Sequence, residues 1–385
     1  MIDKERNSSF FSGSNGNDKP MKCLEFFAGI GGFHYALQSK QLDIIQNKYV
    51  NEVGLQVTVR ALDINTVTNA IYKYNFPNTE IQQCNIQKLT TDYYDDYNAD
   101  IWTMSPPCQP FTKHVSFHLS ALHNCLSMKG LRKDIADHRC VVLKTICNAL
   151  KAMKHPPRYI IAENVCGFET SDAHHLLKDT LMNLCYSFEE YIISPTEIGI
   201  PNSRPRYYLL AKLSNHCIIV PTINKIIRIW PVDDATIFRR KIIGEYLCND
   251  ANEDGSLIIS REIIERFGNV MSFVTAYNFY SSCFTKAYYR YVAGTGPILL
   301  RFSKKIQDEK MSIEQLRNFV LSDNCKNLMH CQIRYFSWRE MANLLGFPKT
   351  FLKPPDISTK QMYHALGNSI TVSGVTLLIQ HMLRM

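Results

Sequence analysis

The sequence predicts an α/β protein: a doubly wound parallel sheet with a second, smaller domain. Three observations lead there. Two strand-turn-helix units follow one another between Met21 and Phe76, further apolar strand segments recur as far as Leu213, and from about His216 the alternation fades into short strands and turns. A chain of 385 residues, 45% hydrophobic and 20% charged, can bury one large core and a smaller one.

Residues 1–20, "MIDKERNSSFFSGSNGNDKP", are rich in Ser, Asn, Gly and Asp without a sustained apolar period, so a flexible tail is expected. "KCLEFF" then reads as a buried strand, "AGIGG" as a turn, and "FHYALQSK" as a helix with Phe33, Ala36 and Leu37 on one face. The next unit has the strand "VTVRALD", ending at Asp63, and the helix "NTVTNAIYKYNF", for which Asn65 is the expected N-cap. Two such units in succession imply parallel pairing. Strands are also expected at "ADIWTM", "RYIIAEN", "CYSFEEYIIS" and "RYYLLAKL", with a helix from about Asp137 to Lys154 carrying Val141, Leu143, Ile146 and Leu150. That layout is Rossmann-like. "SWREMANLLGFP" and the amphipathic "SITVSGVTLLIQHML" close the chain, while residues 216–334 between the two regions form the smaller domain. That middle segment holds sixteen Lys and Arg against twelve Asp and Glu without a dense basic block, so any grip on a polyanion there depends on placement.

The formal charge of +8 permits a polyanionic partner without requiring one. No apolar run approaches the roughly 20 residues of a membrane span, so a soluble protein with no membrane partner is expected. Thirteen cysteines without a CxxC pair, in a chain with no legible secretory leader, argue for reduced thiols and a cytoplasmic or nuclear location. Neither a disulfide framework nor a metal site is expected.

The chemistry centres on "TMSPPCQPFT". Pro106, Pro107 and Pro110 fix the backbone around Cys108, as suits either an aimed nucleophile or a buried structural cysteine. In "EFFAGIGG", Gly29, Gly31 and Gly32 stand between a strand and a helix, where missing side chains let a ligand approach or simply permit tight packing. Asp63, ending the next strand, is placed to accept hydrogen bonds from a ribose. Because the spacing is not GxGxxG and no Walker lysine follows, an adenosyl ligand without a pyrophosphate fits best, and S-adenosylmethionine is the candidate. Glu163 and Asn164 end the strand "IIAEN" at the same sheet edge. A thiol and an acid beside a methyl donor describe one reaction: the thiolate adds to C6 of a cytosine, the acid stabilises a proton at N3, and C5 becomes nucleophilic. C5 then takes the methyl group, loses its proton, and the thiol is expelled. Arg204 and Arg206 in "NSRPRYY" alternate on an expected strand and so point the same way, either to hold the pyrimidine O2 and a phosphate or as an exposed basic face.

From Met21 onward the chain resembles the cytosine-C5 methyltransferases, matching "EFFAGIGG", "SPPCQPFT", "ENV", "RPR" and "GNSI" in the family's order. The resemblance implies that Cys108 is the nucleophile, Glu163 the N3 partner, and Arg204 and Arg206 base-positioning residues. It implies an S-adenosylmethionine site lined by Phe27, Gly29, Ile30, Gly32, Asp63, Ile64, Ile86, Asn368 and Ser369. It also implies that the last helix returns beside the first β-α unit, so that the catalytic domain comprises residues 21–215 and 335–385, with 216–334 as the target-recognition domain. Residues 283–296, "CFTKAYYRYVAGTG", are similar to a signature of the type-2 DNA-methyltransferase homologues, whose activity is on the anticodon-loop cytosine of tRNA-Asp. That points to tRNA as partner and to a monomer, with DNA as the alternative substrate and a non-catalytic nucleic-acid binder as the alternative class. Within the segment Tyr288 and Tyr291 offer faces for unpaired bases and Lys286 and Arg290 offer phosphate contacts, unless the aromatics pack in the small core. Three departures stand out: "KHVSFHLSALHNCLSMK" lengthens the loop after Cys108 by about 15 residues, the segment between the first helix and Asp63 is also long, and Pro297 replaces the serine expected after "GTG".

Overall fold

The computed structural model describes residues 19–39, 55–107, 141–214, 225–232, 238–302, 315, 318 and 331–385. Seven strands, β1 (Met21–Phe26), β2 (Val57–Asp63), β3 (Glu80–Gln83), β4 (Ile101–Met104), β5 (Tyr159–Val165), β6 (Tyr186–Ile193) and β7 (Arg206–Leu213), form one sheet in the order β3-β2-β1-β4-β5-β7-β6. The strands from β3 to β5 are parallel, as the β-α alternation predicts. β7 departs from that expectation, running antiparallel to both neighbours, β5 and β6. This reversal brings the first residue of β7, Arg206, opposite Val165 at the edge where the parallel strands end.

Side chains alternate across the sheet, so neighbouring residues join different cores. Cys23, Ile101 and Ile161 fall in one apolar layer with α1 (Gly32–Gln38), while Leu24, Trp102 and Ile160 fall in the other with α4 (Val141–Ala152) and α5 (Asp172–Asn183). Two shorter helices, α2 (Thr66–Asn75) and α3 (Thr91–Tyr97), complete the β-α units. Asn65 caps α2 as its position predicts, its side chain accepting from the N–H groups of Val67 (2.9 Å) and Thr68 (3.2 Å).

The middle of the chain supplies helix α6 (Arg261–Phe267) and a three-stranded sheet in the order β10-β9-β8, from β8 (Ser272–Val274), β9 (Pro297–Phe302) and β10 (Cys331–Arg334). Its core is small: Ile259, Ile264, Met271, Phe273, Val292, Ile298, Leu300 and Ile333. The chain then returns through α7 (Trp338–Leu344), α8 (Thr359–Gly367) and α9 (Val372–Arg384). Helix α9 lies against α1, with Val375, Leu378 and Met382 in the same layer as Phe33 and Leu37. Seven of the described cysteines are free, but Cys185 is disulfide-bonded, a departure from the expectation of reduced thiols. No described helix is long and apolar enough to cross a membrane.

Candidate active site

The strand order reverses direction between β1 and β4, and an open α/β sheet presents its ligand crevice at such a switch point. The glycine turn after β1 is there. Phe27, Gly29 and Gly31 all take left-handed backbone angles, with φ of 54°, 55° and 83°. Asp63 buckles this turn to the end of β2: its Oδ2 accepts from the Gly29 N–H at 2.8 Å and its Oδ1 from the Asn65 N–H at 2.8 Å. Burial raises the Asp63 carboxyl above its ordinary range against these bonds.

A carboxylate has about four acceptor positions, so Asp63 keeps capacity for ribose hydroxyls. Ile64, next in the chain, is 66% exposed, an apolar side chain held open beside that acid. A β-carbon on Gly32 would come within 2.7 Å of Ile370 Cγ1 and 3.3 Å of Ser369 Oγ, so the "GNSI" segment seals the turn from the other side. These features fit S-adenosylmethionine: an acid for the ribose and an apolar face for the adenine. Phe27, Gly29, Gly32, Asp63, Ile64 and Ser369 border this edge, and Asn368 precedes Ser369 in the chain. Ile30 and Ile86, 2% and 5% exposed, belong to the apolar layers on the two faces of the sheet.

On the other side of β4 stands Glu163, at the end of β5. Adjacent strands are about 4.8 Å apart, so the glycine turn and Glu163 flank the segment leaving β4 at roughly 10 Å from each other. That segment is Ser105–Pro107, leading into Cys108. Cys108 and the long stretch 114–128 lie outside the described residues. The approach to Cys108 is nevertheless fixed, because the buried Asn164 side chain donates from Nδ2 to the Pro106 carbonyl at 3.3 Å. Arg206 Nε stands 3.3 Å from Glu163 Oε1. Burial pushes the Glu163 carboxyl up, the Arg206 and then the Arg204 guanidinium pull it back, and the balance leaves it above its ordinary value. A carboxyl shifted upward gives up its proton less readily than a free one, which suits an acid partner for a ring nitrogen.

Arg204 is not on the strand with Arg206, contrary to the alternation expected from sequence. It precedes β7, and its guanidinium is buried and turned onto backbone carbonyls: Phe284 (3.0 Å), Gly367 (3.2 Å) and Ser369. It therefore ties the "CFT" and "GNSI" segments together instead of facing the open edge. Cys283 completes the junction, its Sγ accepting from Arg204 Nη1 at 3.3 Å and from Arg206 Nη2 at 3.9 Å. Burial pushes the Cys283 thiol up, but the two guanidiniums more than offset this and hold it below its usual range. Sequence reasoning gave Cys283 and Asn164 no role, because their partners are distant in the chain.

Residues 283–296 are a series of turns. Tyr288 is not a stacking face: it is 1% exposed, donates to the Pro297 carbonyl at 2.8 Å and accepts from the Phe336 N–H at 2.9 Å. Its ring is buried among Phe284, Tyr335 and Tyr363, so the small-core alternative holds for this residue. Lys286, Arg290 and Tyr291 are exposed, with the Arg290 guanidinium 5.2 Å from the Tyr291 ring centre.

Sheet order, switch point and the acid that buckles the glycine turn place the chain among the Rossmann-like methyltransferases. It belongs to the C-5 cytosine-specific DNA methylase family, which matches residues 21–384, and it transfers methyl groups from S-adenosylmethionine to C5 of cytosine. It is 30% identical over 416 residues to a human tRNA (cytosine(38)-C(5))-methyltransferase, covering 94% of this chain and 99% of the relative. It is likewise 30% identical over 397 residues to a DNA (cytosine-5)-methyltransferase of Dictyostelium discoideum, covering 94% of this chain and 93% of that one. The crystal structure of the Schizosaccharomyces pombe Dnmt2 methyltransferase superposes with a TM-score of 0.72 at 30% identity, covering 95% of this chain and 98% of that one.

Proposed function

We propose that this protein methylates C5 of an unpaired cytosine in the anticodon loop of tRNA, position 38 of tRNA-Asp being the expected site. The full-length similarity to enzymes named for that reaction supports the substrate, as does the "CFT" segment. A loop cytosine is already unpaired, so it reaches the edge without the few kcal/mol of opening that a duplex demands.

The observation that carries the mechanism is the fixed Pro106 carbonyl between the glycine turn and Glu163. Cys108, two residues further on, is the proposed nucleophile that attacks C6 of the cytosine. Glu163, whose carboxyl burial raises above its ordinary range, stabilises the proton at N3 as the ring accepts the thiolate's electrons. Arg206 orients Glu163 and offers its guanidinium to the pyrimidine O2. S-adenosylmethionine, held by the Phe27–Gly32 turn, Asp63, Ile64, Asn368 and Ser369, supplies an electrophilic methyl group when bound. Closure of the sequence ends with loss of the C5 proton and expulsion of Cys108 as the free thiol. Lys286, Arg290 and Tyr291 remain candidate RNA contacts.

The test is incubation with labelled donor and, in parallel, tRNA and duplex DNA. Label in tRNA at the anticodon loop is expected, and the Cys108→Ala variant should transfer none while binding the donor with wild-type affinity by calorimetry. On RNA carrying 5-fluorocytosine the wild type should form a denaturation-resistant adduct, since no C5 proton can leave. Label confined to duplex DNA would replace this reading with the DNA enzyme, and absence of both label and adduct would make the chain a binder.

A further inference from the structure

We infer that a surface formed by residues 238–246 and 276–280 is a docking track for the unpaired nucleotides beside the target base. The inference rests on the RNA reading above. In the stretch "YNFY", Tyr277, Phe279 and Tyr280 are 49%, 49% and 47% exposed, three large rings held half in water within four residues. Isolated exposed aromatics are ordinary, but a row of them marks a contact surface. Beside them run Arg239, Arg240 and Lys241. The Arg240 guanidinium lies 5.2 Å from the Phe279 ring centre, and the Lys241 ammonium 5.8 Å from the Tyr246 ring centre. Arg239 is paired with Glu245, whereas among the described residues no carboxylate lies within ion-pair distance of Arg240 or Lys241. Cations without counter-charges, set among aromatic faces, are what a single-stranded phosphate chain with stacked bases requires. They do not suit an apolar protein partner, which would leave both charges unpaired.

The two segments are held to each other and to the catalytic edge. The Ile243 N–H donates to the Asn278 carbonyl (2.9 Å), the Gly244 N–H to Ala276 (2.7 Å), and the Lys241 N–H to Gly199 (3.0 Å). Ser203 N–H donates to the Ser281 carbonyl at 2.9 Å, and the Ser281 hydroxyl to Pro201 at 2.6 Å. Three residues beyond Tyr280 comes Cys283, whose sulfur meets Arg206. Tyr280 and Cys283 can therefore be no more than about 11 Å apart along the chain. A nucleotide strand leaving the edge at Arg206 meets Tyr280 and Phe279 next, with Arg240 at the phosphate.

The experiment measures KM for tRNA, the affinity of an anticodon stem-loop by fluorescence anisotropy, and the salt dependence of that affinity, on full-length Phe279→Ala, Tyr280→Ala and Arg240→Ala. Each aromatic change should raise KM and Kd about tenfold, as loss of one base-on-ring stack implies. Arg240→Ala should lessen the slope of log affinity against log salt by about 0.7, for one phosphate contact on a single strand. Phe279→Tyr should restore binding, donor affinity and thermal melting should match the wild type, and Arg261→Ala, paired with Glu265 elsewhere, serves as control. Variants that melt like the wild type yet bind RNA as tightly overturn the surface while the RNA reading stands. A wild type that labels duplex DNA and no tRNA overturns both.

Discussion

Glu25 is a fully buried carboxyl just before the glycine turn, and a chain of side chains leads to it. Tyr72 donates to its Oε2 at 2.8 Å, His34 Nδ1 meets the Tyr72 hydroxyl at 2.8 Å, and Gln38 Nε2 meets His34 Nε2 at 2.8 Å. With Tyr72 donating to Glu25, the neutral Nδ1–H form of His34 satisfies every link. Burial pushes Glu25 up to about 8, only partly offset by Tyr72 and the amides of His34 and Phe33, and burial lowers His34 to about 4. The folded protein thus binds the Glu25 proton more tightly than the unfolded chain, whose carboxyl titrates near 4.5. Its stabilising contribution is complete below about pH 4.5 and is lost as pH rises towards 8. Glu25→Gln keeps the acceptor and cannot ionise, so the melting temperature of the wild type should fall relative to that variant between pH 5 and 8; parallel curves would show that Glu25 is ionised throughout. The two arginines of "RPR" separate at the same scale. Arg204→Ala removes the donor to the Gly367 and Ser369 carbonyls, while Cys283 still donates to Phe284, and should cost about 2–4 kcal/mol in urea unfolding, whereas Arg206→Ala should melt near the wild type and lose turnover, because Arg206 orients Glu163.

At the scale of elements, one buried ion pair joins the small sheet to the returning chain. Arg334, ending β10, meets Glu340 in α7 through two contacts of 2.8 Å, with both side chains at 0% exposure. Glu340 also closes the capping box with Ser337, accepting from its N–H at 2.8 Å, and accepts from the Cys248 N–H at 3.0 Å. One carboxylate thereby sets the start of α7 and its docking. Glu340→Leu strands the guanidinium in the interior and should destabilise by about 3–5 kcal/mol, while adding Arg334→Met should recover part of that loss, since paired removal of buried charges is often near neutral. Denaturant melts of the single and double variants measure both.

The whole molecule depends on a discontinuous fold in which the last helices complete a site begun by the first β-α unit. Gly367 is where the returning helices touch the 283–296 segment: a β-carbon there would stand 2.3 Å from the Thr285 carbonyl oxygen and 2.5 Å from the Lys286 nitrogen, both backbone atoms. Gly367→Ala should therefore cost about 1–3 kcal/mol and weaken donor binding through Ser369. Gly255→Ala, where nothing lies within 4 Å of the added carbon, should leave the melting temperature near that of the wild type. What the sequence by itself determined are the features written in neighbouring residues: the β-α alternation, the Asn65 cap, and the acids at the carboxyl ends of β2 and β5. Such features are local because strand period, capping and turn chemistry act over a few residues. Only the tertiary structure decided that β7 reverses, that Tyr288 is core, and that Arg204 is a buried clamp whose partners lie 80 and 165 residues away. An arginine's five donors look the same in any sequence; whether they meet a substrate or the chain's own carbonyls is settled by which distant segments pack around it.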